Sequence, residues 1–324
     1  MIPASKQAGA ALLSILLIVA TLSVAALIVT ETIARQTETQ KLSARRSAAS
    51  WAARSAEAAA LASAAEMTRA SRLPAAGDGT DRVRTLVLPI DGGQIILDLR
   101  ELPPCLNLNA LANADATVRT RQSSALRALL DEMGIPRSDA DSLVATWTDW
   151  VDADAQQLPG GAEDDYYTTR QAGFRAANQP LQGLAELAPL PGFTPELRLA
   201  LAPYTCAIPE TEPLVLNMNA MDTESAYVLS ASTGGALSLS EARKLIDARP
   251  TSGWNSVSEI SAYAARDPSL ELALAGLPMS VQGVYFTGTG RVALDSGSWP
   301  FAFIVSTESQ SAPQIVWRSF GVTG

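Results

Sequence analysis

The 324-residue chain is 47% hydrophobic and only 18% charged, carries a net charge of -9 and has a pI near 4.7, so it holds ample apolar material for a sizeable core and more than one folded part. It contains no histidine, which excludes Ser-His-Asp triads, histidine general bases and the usual zinc sites. The acidic balance disfavours non-specific attachment to nucleic acid or anionic lipid, both of which need a basic face.

Behind the polar leader MIPASKQAG, residues 1–9, lies an uncharged run from Ala10 to Val29, AALLSILLIVATLSVAALIV. About twenty such residues span the hydrocarbon core of a bilayer as a helix. Three explanations compete: a cleaved secretory signal, a permanent signal anchor, and the anchoring helix of a pilin-like protein. A secretory signal has a shorter apolar region that ends at a small-residue cleavage site. Here the helical pattern continues from Glu31 to about Arg72 without Gly or Pro. The spacing predicts one helix of roughly sixty residues, near 90 Å long, over 10–72. In its outer half Leu42, Trp51, Ala58, Leu61 and Ala65 are expected to share an apolar face.

A short leader with Lys6, then Gly9, the apolar run and an unbroken helical continuation resemble the amino termini of type IV pilins and type II secretion pseudopilins. The resemblance implies cleavage by a prepilin peptidase between Gly9 and Ala10, with methylation of the new terminus. It also implies a single-pass protein of the bacterial inner membrane with its bulk in the periplasm; the charge rule alone is silent, because Lys6 precedes the run and Arg35 follows it. Most members of that family carry a glutamate at the fifth mature position, where this chain has Ser14. The class that habitually lacks it is the large minor pseudopilin K, so Ser14 marks a position at the tip.

Leu73 to Asp81 reads as a turn-rich break, followed by a β-hairpin of RVRTLVLPI and GQIILDLRE around Asp91, Gly92 and Gly93. From Cys105 to about Pro278 the chain is helical and loop-rich. Helices are predicted over Arg121–Met133, Arg137–Asp149, Leu181–Leu187, Pro195–Ala202, Thr223–Leu229, Ser238–Ala248 and Ser256–Ala264, with caps at Ser138, Thr194 and Ser256. Three strands return in MSVQGVYFTGTGRVAL, SWPFAFIVSTES and APQIVWRSFG. The expected fold is α+β: a pilin-like long helix packed on an antiparallel sheet drawn from 73–104 and 279–324, interrupted by a helical insertion over 105–278.

Cys105 and Cys206 are an even pair beyond a membrane segment; they admit a disulfide closing a loop of about a hundred residues, with two buried thiols as the alternative. The phrase CLNLNAL at Cys105–Leu111 recurs as VLNMNAM at Val215–Met221, which suggests two related halves with structural asparagine turns. The region after the second copy resembles a helix-hairpin-helix unit of DNA-uptake receptors. Its turn, Gly234, Gly235, Ala236 and Leu237, lacks the Gly-x-Gly pattern, and Arg243, Lys244 and Arg249 are interleaved with Glu241, Asp247 and Glu259. A protein-packing module is therefore expected, with no nucleic acid bound.

The one constellation with chemistry is TDWVDADAQQLPGGAEDDYY, Thr148–Tyr167, which gathers Asp149, Asp152, Asp154, Glu163, Asp164 and Asp165 around a Pro-Gly-Gly turn. Six carboxylates in twenty residues repel one another unless a cation or several donors neutralise them. Calcium suits such a loop, because it accepts six to eight oxygens in irregular geometry, whereas magnesium demands a stricter octahedron. The spacing is not that of an EF-hand. An exposed, metal-free acidic loop is the plain alternative. A hydrolytic pair of carboxylates is disfavoured, because no lysine or histidine lies nearby. Trp147, Trp150, Tyr166 and Tyr167 are expected to be core residues that fix the loop ends. The same stretch is similar to the calcium-binding segment of the pseudopilin K family, which implies Ca2+ as a structural ion. Taken over the whole chain, that resemblance implies a non-enzymatic minor pseudopilin at the tip of a type II secretion pseudopilus. Its implied partners are the minor pseudopilins I and J, other pseudopilins and the inner-membrane secretion platform. The competing reading is a membrane-anchored DNA-uptake receptor.

Overall fold

The computed structural model describes residues 6–72, 83–169, 173–295, 297–308 and 312–321, with side chains from residue 12 onward. The predicted break at Leu73–Asp81 and the start of the leader lie outside the described residues.

Helix α1 runs unbroken over Lys6–Ala70, 65 residues, or roughly 98 Å at about 1.5 Å per residue. Its apolar half is exposed throughout the protein, as a helix bathed in lipid must be. The hydroxyls in that half fold back onto their own helix: Thr21 donates to the Ile18 carbonyl, Ser23 to Val19 and Thr30 to Ala26, at 2.8–2.9 Å. No polar atom of theirs is then left to the hydrocarbon.

Strands β1 (Arg84–Ile90) and β2 (Gly93–Glu101) form the predicted hairpin, with Gly92 at φ 73° in its turn. Short β3 (Leu106–Asn107) opens the insertion, which continues through α2 (Ala116–Glu132), α3 (Arg137–Val151), α4 (Asp164–Thr169), α5 (Pro195–Leu201), β4 (Thr205–Cys206), β5 (Leu216–Asn217), α6 (Ala226–Ser232), α7 (Leu239–Asp247), α8 (Val257–Ala264), α9 (Pro268–Leu274) and β6 (Met279–Ser280). The sheet then resumes with β7 (Tyr285–Leu294), β8 (Gly297–Ser306) and β9 (Gln314–Phe320). Strand order is β1-β2-β7-β8-β9, all antiparallel. Since β2 pairs with β7 in continuous register from Gly93↔Leu294 to Glu101↔Phe286, everything between residues 102 and 284 is hung from one end of two neighbouring strands.

The sheet lies on α1, but on a face other than the expected one. Ala49, Ala53, Ala56, Ala60, Ala64 and Met67 are buried against Ile95, Leu97, Leu99, Phe286, Val292, Phe301, Phe303 and Val305. Leu42 and Trp51 are 60% and 65% exposed, Ala58 and Ala65 are exposed, and Leu61 is half-buried at the margin. The reason is steric. The rings of Phe301 and Phe303 stack 6.1 Å apart across β7, where a Cβ on Gly288 would sit 2.2 Å from the Phe303 ring and one on Gly290 2.8 Å from that of Phe301. Rings occupying that layer leave room chiefly for alanine on the helix, with Met67 at the end of the row. Larger side chains fall on the far side, where the Arg54 guanidinium covers the Trp51 ring at 4.9 Å. Ala56→Leu is therefore expected to lower stability by about 1–3 kcal/mol through overpacking, whereas Ala58→Leu stays within about 0.5 kcal/mol; thermal midpoints check both.

The insertion has its own core, continuous across both halves, with Leu126, Leu129, Leu130, Trp147, Val228, Leu229 and Ile260 at its centre. Each half opens with a Leu-Asn-x-Asn turn and closes with a two-residue parallel bridge, β3 with β4 and β5 with β6. Cys105 and Cys206 form a disulfide beside the first bridge, with Cα atoms 5.8 Å apart. The asparagines are structural, as expected: Asn109 is fully buried, donates to the Leu181 and Ile208 carbonyls and accepts from the Leu181 amide.

Several predicted boundaries shift. Helix α2 starts at Ala116 because Asp115 caps it, accepting from the Thr117 amide at 2.7 Å. Helix α3 has Pro136 at its cap position, and Ser138 makes no cap bond. The Thr194 and Ser256 caps are present. Leu181–Leu187 yields only a 3-10 turn over Leu184–Leu187, and α4 and α9 add two short helices to those the sequence predicts.

Candidate metal centre

Helix α3 delivers the acidic loop, 152–163. Its last inward-facing carboxylate, Asp149, is fully buried and accepts the Leu158 amide on both oxygens at 3.2 Å. Gly161 closes over it so tightly that a Cβ there would fall 2.0 Å from Asp149 Oδ2, and Gly160 turns at φ 83°. Asp149 thus staples the Pro-Gly-Gly turn to the helix. Trp150, Tyr167 and Phe174 pack mutually, with ring centroids 5.3–6.3 Å apart, and Trp147 packs on Phe193 at 4.9 Å. These aromatic contacts fix both ends of the loop.

Of the six acidic residues in the stretch, Asp152, Asp154 and Glu163 bring one carboxylate oxygen each within 4.8 Å of one another. Asp149 stands behind them as the staple. Asp164 turns away to Arg175 at 3.2 Å and to the Ala176 amide at 3.0 Å, and Asp165 is exposed on α4. Glu163 is 4% exposed, yet neither of its oxygens, nor Asp152 Oδ1, has a hydrogen-bond partner among the described residues. Such orphans cluster here. Trp147 Nε1, Trp150 Nε1, Tyr167 OH and Asn178 Oδ1 are also buried without partners on the elements that frame the loop, and among the described residues only three comparable atoms lie elsewhere. Burial, then the neighbouring carboxylates, pushes Glu163 up to about 7. Burial likewise pushes Asp149 up to about 6 and raises Asp152. Oxygen-only donors, irregularly placed and ranging from the buried, unpartnered Glu163 through half-buried Asp152 to exposed Asp154, fit a hard cation of the calcium type.

A pH dependence follows. Both carboxyls titrate above their unfolded values of about 3.9 and 4.3, so the ion-free folded chain binds protons more tightly than the unfolded one. Their contribution to ion-free stability is therefore fully present below about pH 4 and lost as pH rises through 6 and 7. A cation competes with those protons. If that cation is calcium, the rise in thermal midpoint it brings is expected to be full at about pH 8 and absent near pH 5, and melting with and without chelator across that range measures it.

The hairpin between α6 and α7 decides against a phosphate cradle. Its amides are spent internally: Gly234 on Ala231 O, Gly235 on Ser230 O, Ala236 on Thr233 O and Leu237 on Thr233 Oγ1, at 2.7–3.4 Å. No amide of that turn remains for a phosphate.

Comparison with known proteins agrees with this architecture. Two family models, both described as type II secretion system protein K, match residues 104–210 and 216–274, the two halves of the insertion. The type II secretion system protein K of Klebsiella pneumoniae is 31% identical over 236 residues, covering 72% of this chain and 69% of the relative. That of Pectobacterium carotovorum subsp. carotovorum is 29% identical, covering 73% of each. Among solved structures, the crystal structure of the GspK-GspI-GspJ complex from enterotoxigenic Escherichia coli contains a chain that superposes with a TM-score of 0.68 at 25% identity, over 89% of this chain and all of that one. With the family matched across the insertion and relatives extending the likeness over most of the length, this chain belongs to the type II secretion system protein K family.

Proposed function

We propose that this chain is the tip subunit of a type II secretion pseudopilus, assembled with I- and J-type minor pseudopilins, and that its acidic loop is folded around a structural calcium ion. The minor-pseudopilin role and the single-pass inner-membrane anchor come with the family and with α1. The observation that carries the tip position is the insertion between β2 and β7. It adds a second core at the end of the sheet, too broad for a subunit enclosed on all sides by others. Ser14 supports it, since no carboxylate is offered there to a subunit ahead. Cleavage between Gly9 and Ala10 would free α1 to leave the bilayer and pack among other such helices. The role is mechanical, with no catalytic step.

Asp152, Asp154 and Glu163 would hold the ion, with Asp149 fixing the turn that carries them. When bound, calcium supplies positive charge that cancels the repulsion of the loop. The tip reading is tested by co-expressing the full chain with I- and J-type minor pseudopilins and solubilising the membranes. One complex with a single copy of each is expected; a chain that elutes alone while the other two stay together contradicts the reading.

A further inference from the structure

Among the described residues Asn178 is the one non-glycine residue with positive φ, at 45°. Asparagine tolerates this left-handed region better than most side chains, but holding it there needs a reason. The backbone amide of Asn178 donates to Trp150 O at 3.0 Å, and its Nδ2 donates to Asp154 O at 3.2 Å. The residue therefore straddles the 150–154 segment that presents Asp152 and Asp154. Its Oδ1 is buried and accepts nothing from the described residues. An unsatisfied side-chain carbonyl is costly in such a place. Both oxygens of Glu163 and Oδ1 of Asp152, the residue two positions before Asp154, are likewise buried without partners among the described residues.

We infer that Asn178 is a neutral oxygen ligand of the cation held by Asp152, Asp154 and Glu163, an inference that rests on the calcium reading above. A site of three carboxylates leaves most of the six to eight positions of calcium open, and amide carbonyls and water commonly fill them. The left-handed turn accounts for how a residue so far along the chain returns to the loop. It anchors its own amide on the end of α3 and leaves the side chain across the loop carbonyl.

Terbium is the probe, since it replaces calcium and is excited through nearby indoles, here Trp147 and Trp150. The full chain in detergent is titrated with terbium and then with competing calcium, and luminescence lifetimes in H2O and D2O count the waters on the bound ion. Asn178→Gly keeps the left-handed backbone at no strain and removes only the side chain. It is expected to gain one metal-bound water and to bind calcium about ten-fold more weakly. Asn178→Asp, which keeps an oxygen at the position, should retain the wild-type water count. An unchanged count in Asn178→Gly, or a raised count in Asn178→Asp, overturns the assignment while leaving the calcium site standing. Wild-type chain without calcium-displaceable terbium emission removes the site itself and this ligand with it.

Discussion

Asn219→Asp is expected to cost about 3–5 kcal/mol, the range for leaving a charge buried without compensation. Asn219 is fully buried, and its Nδ2 donates to three carbonyls, those of Arg72, Trp254 and Val281, at 2.8–3.0 Å. Its Oδ1 accepts the Trp254 amide at 2.8 Å. Beside it Asn217 donates to Ser71 O and to Glu101 Oε1 at 3.1 and 2.7 Å. The two asparagines bind the end of α1, the end of β2 and the second half of the insertion into one joint. A carboxylate at 219 faces three carbonyl oxygens with nothing to donate, so the joint opens or the aspartate stays protonated. The thermal midpoint should fall by roughly 6–20 °C at neutral pH, at about 2–4 °C per kcal/mol, and recover in part under acid. Asn219→Ala loses the donors without adding charge and should fall less. A variant with a wild-type midpoint would mean that the joint carries no load.

If the acidic loop holds calcium as proposed, removing the ion is expected to have the second large effect. The loop converges three carboxyl groups, one of them almost wholly buried, and none of the described residues donates a hydrogen bond to Glu163. Calcium at about a hundred times its dissociation constant stabilises by about 2.7 kcal/mol, or several degrees in midpoint. Glu163→Ala and Asp152→Ala should each abolish that increment, while Asp165→Ala, on the exposed side of α4, should leave it intact. Asp149→Ala should lower the midpoint with and without calcium, because the staple of the Pro-Gly-Gly turn goes in both states. A midpoint indifferent to calcium would dismiss the metal.

What could be read in the sequence was local. An uncharged run with a helical continuation, a DGG turn between β-branched runs, and Thr194 and Ser256 ahead of apolar periods each state their structure within ten residues. The sheet-facing stripe of α1 does not follow from the spacing of its larger apolar residues, because the stacked rings of Phe301 and Phe303, some 240 positions away, leave room chiefly for alanine. The acidic loop was legible as a cluster, but not its division of labour. Asp149 is kept out of the group of three by the Leu158 amide nine residues later, and Asp164 by Arg175. Asn178 left no local signal at all, since its role arises only when residues 173–178 close back over the end of α3.

The most direct test of the account is the amino-terminal sequence of the protein recovered from cells with and without the prepilin peptidase. A methylated start at Ala10 that depends on the peptidase is the predicted result, since it releases α1 to join other pseudopilins. An intact Met1 start in both strains would contradict it, leaving α1 a permanent anchor and the chain unable to enter a pseudopilus.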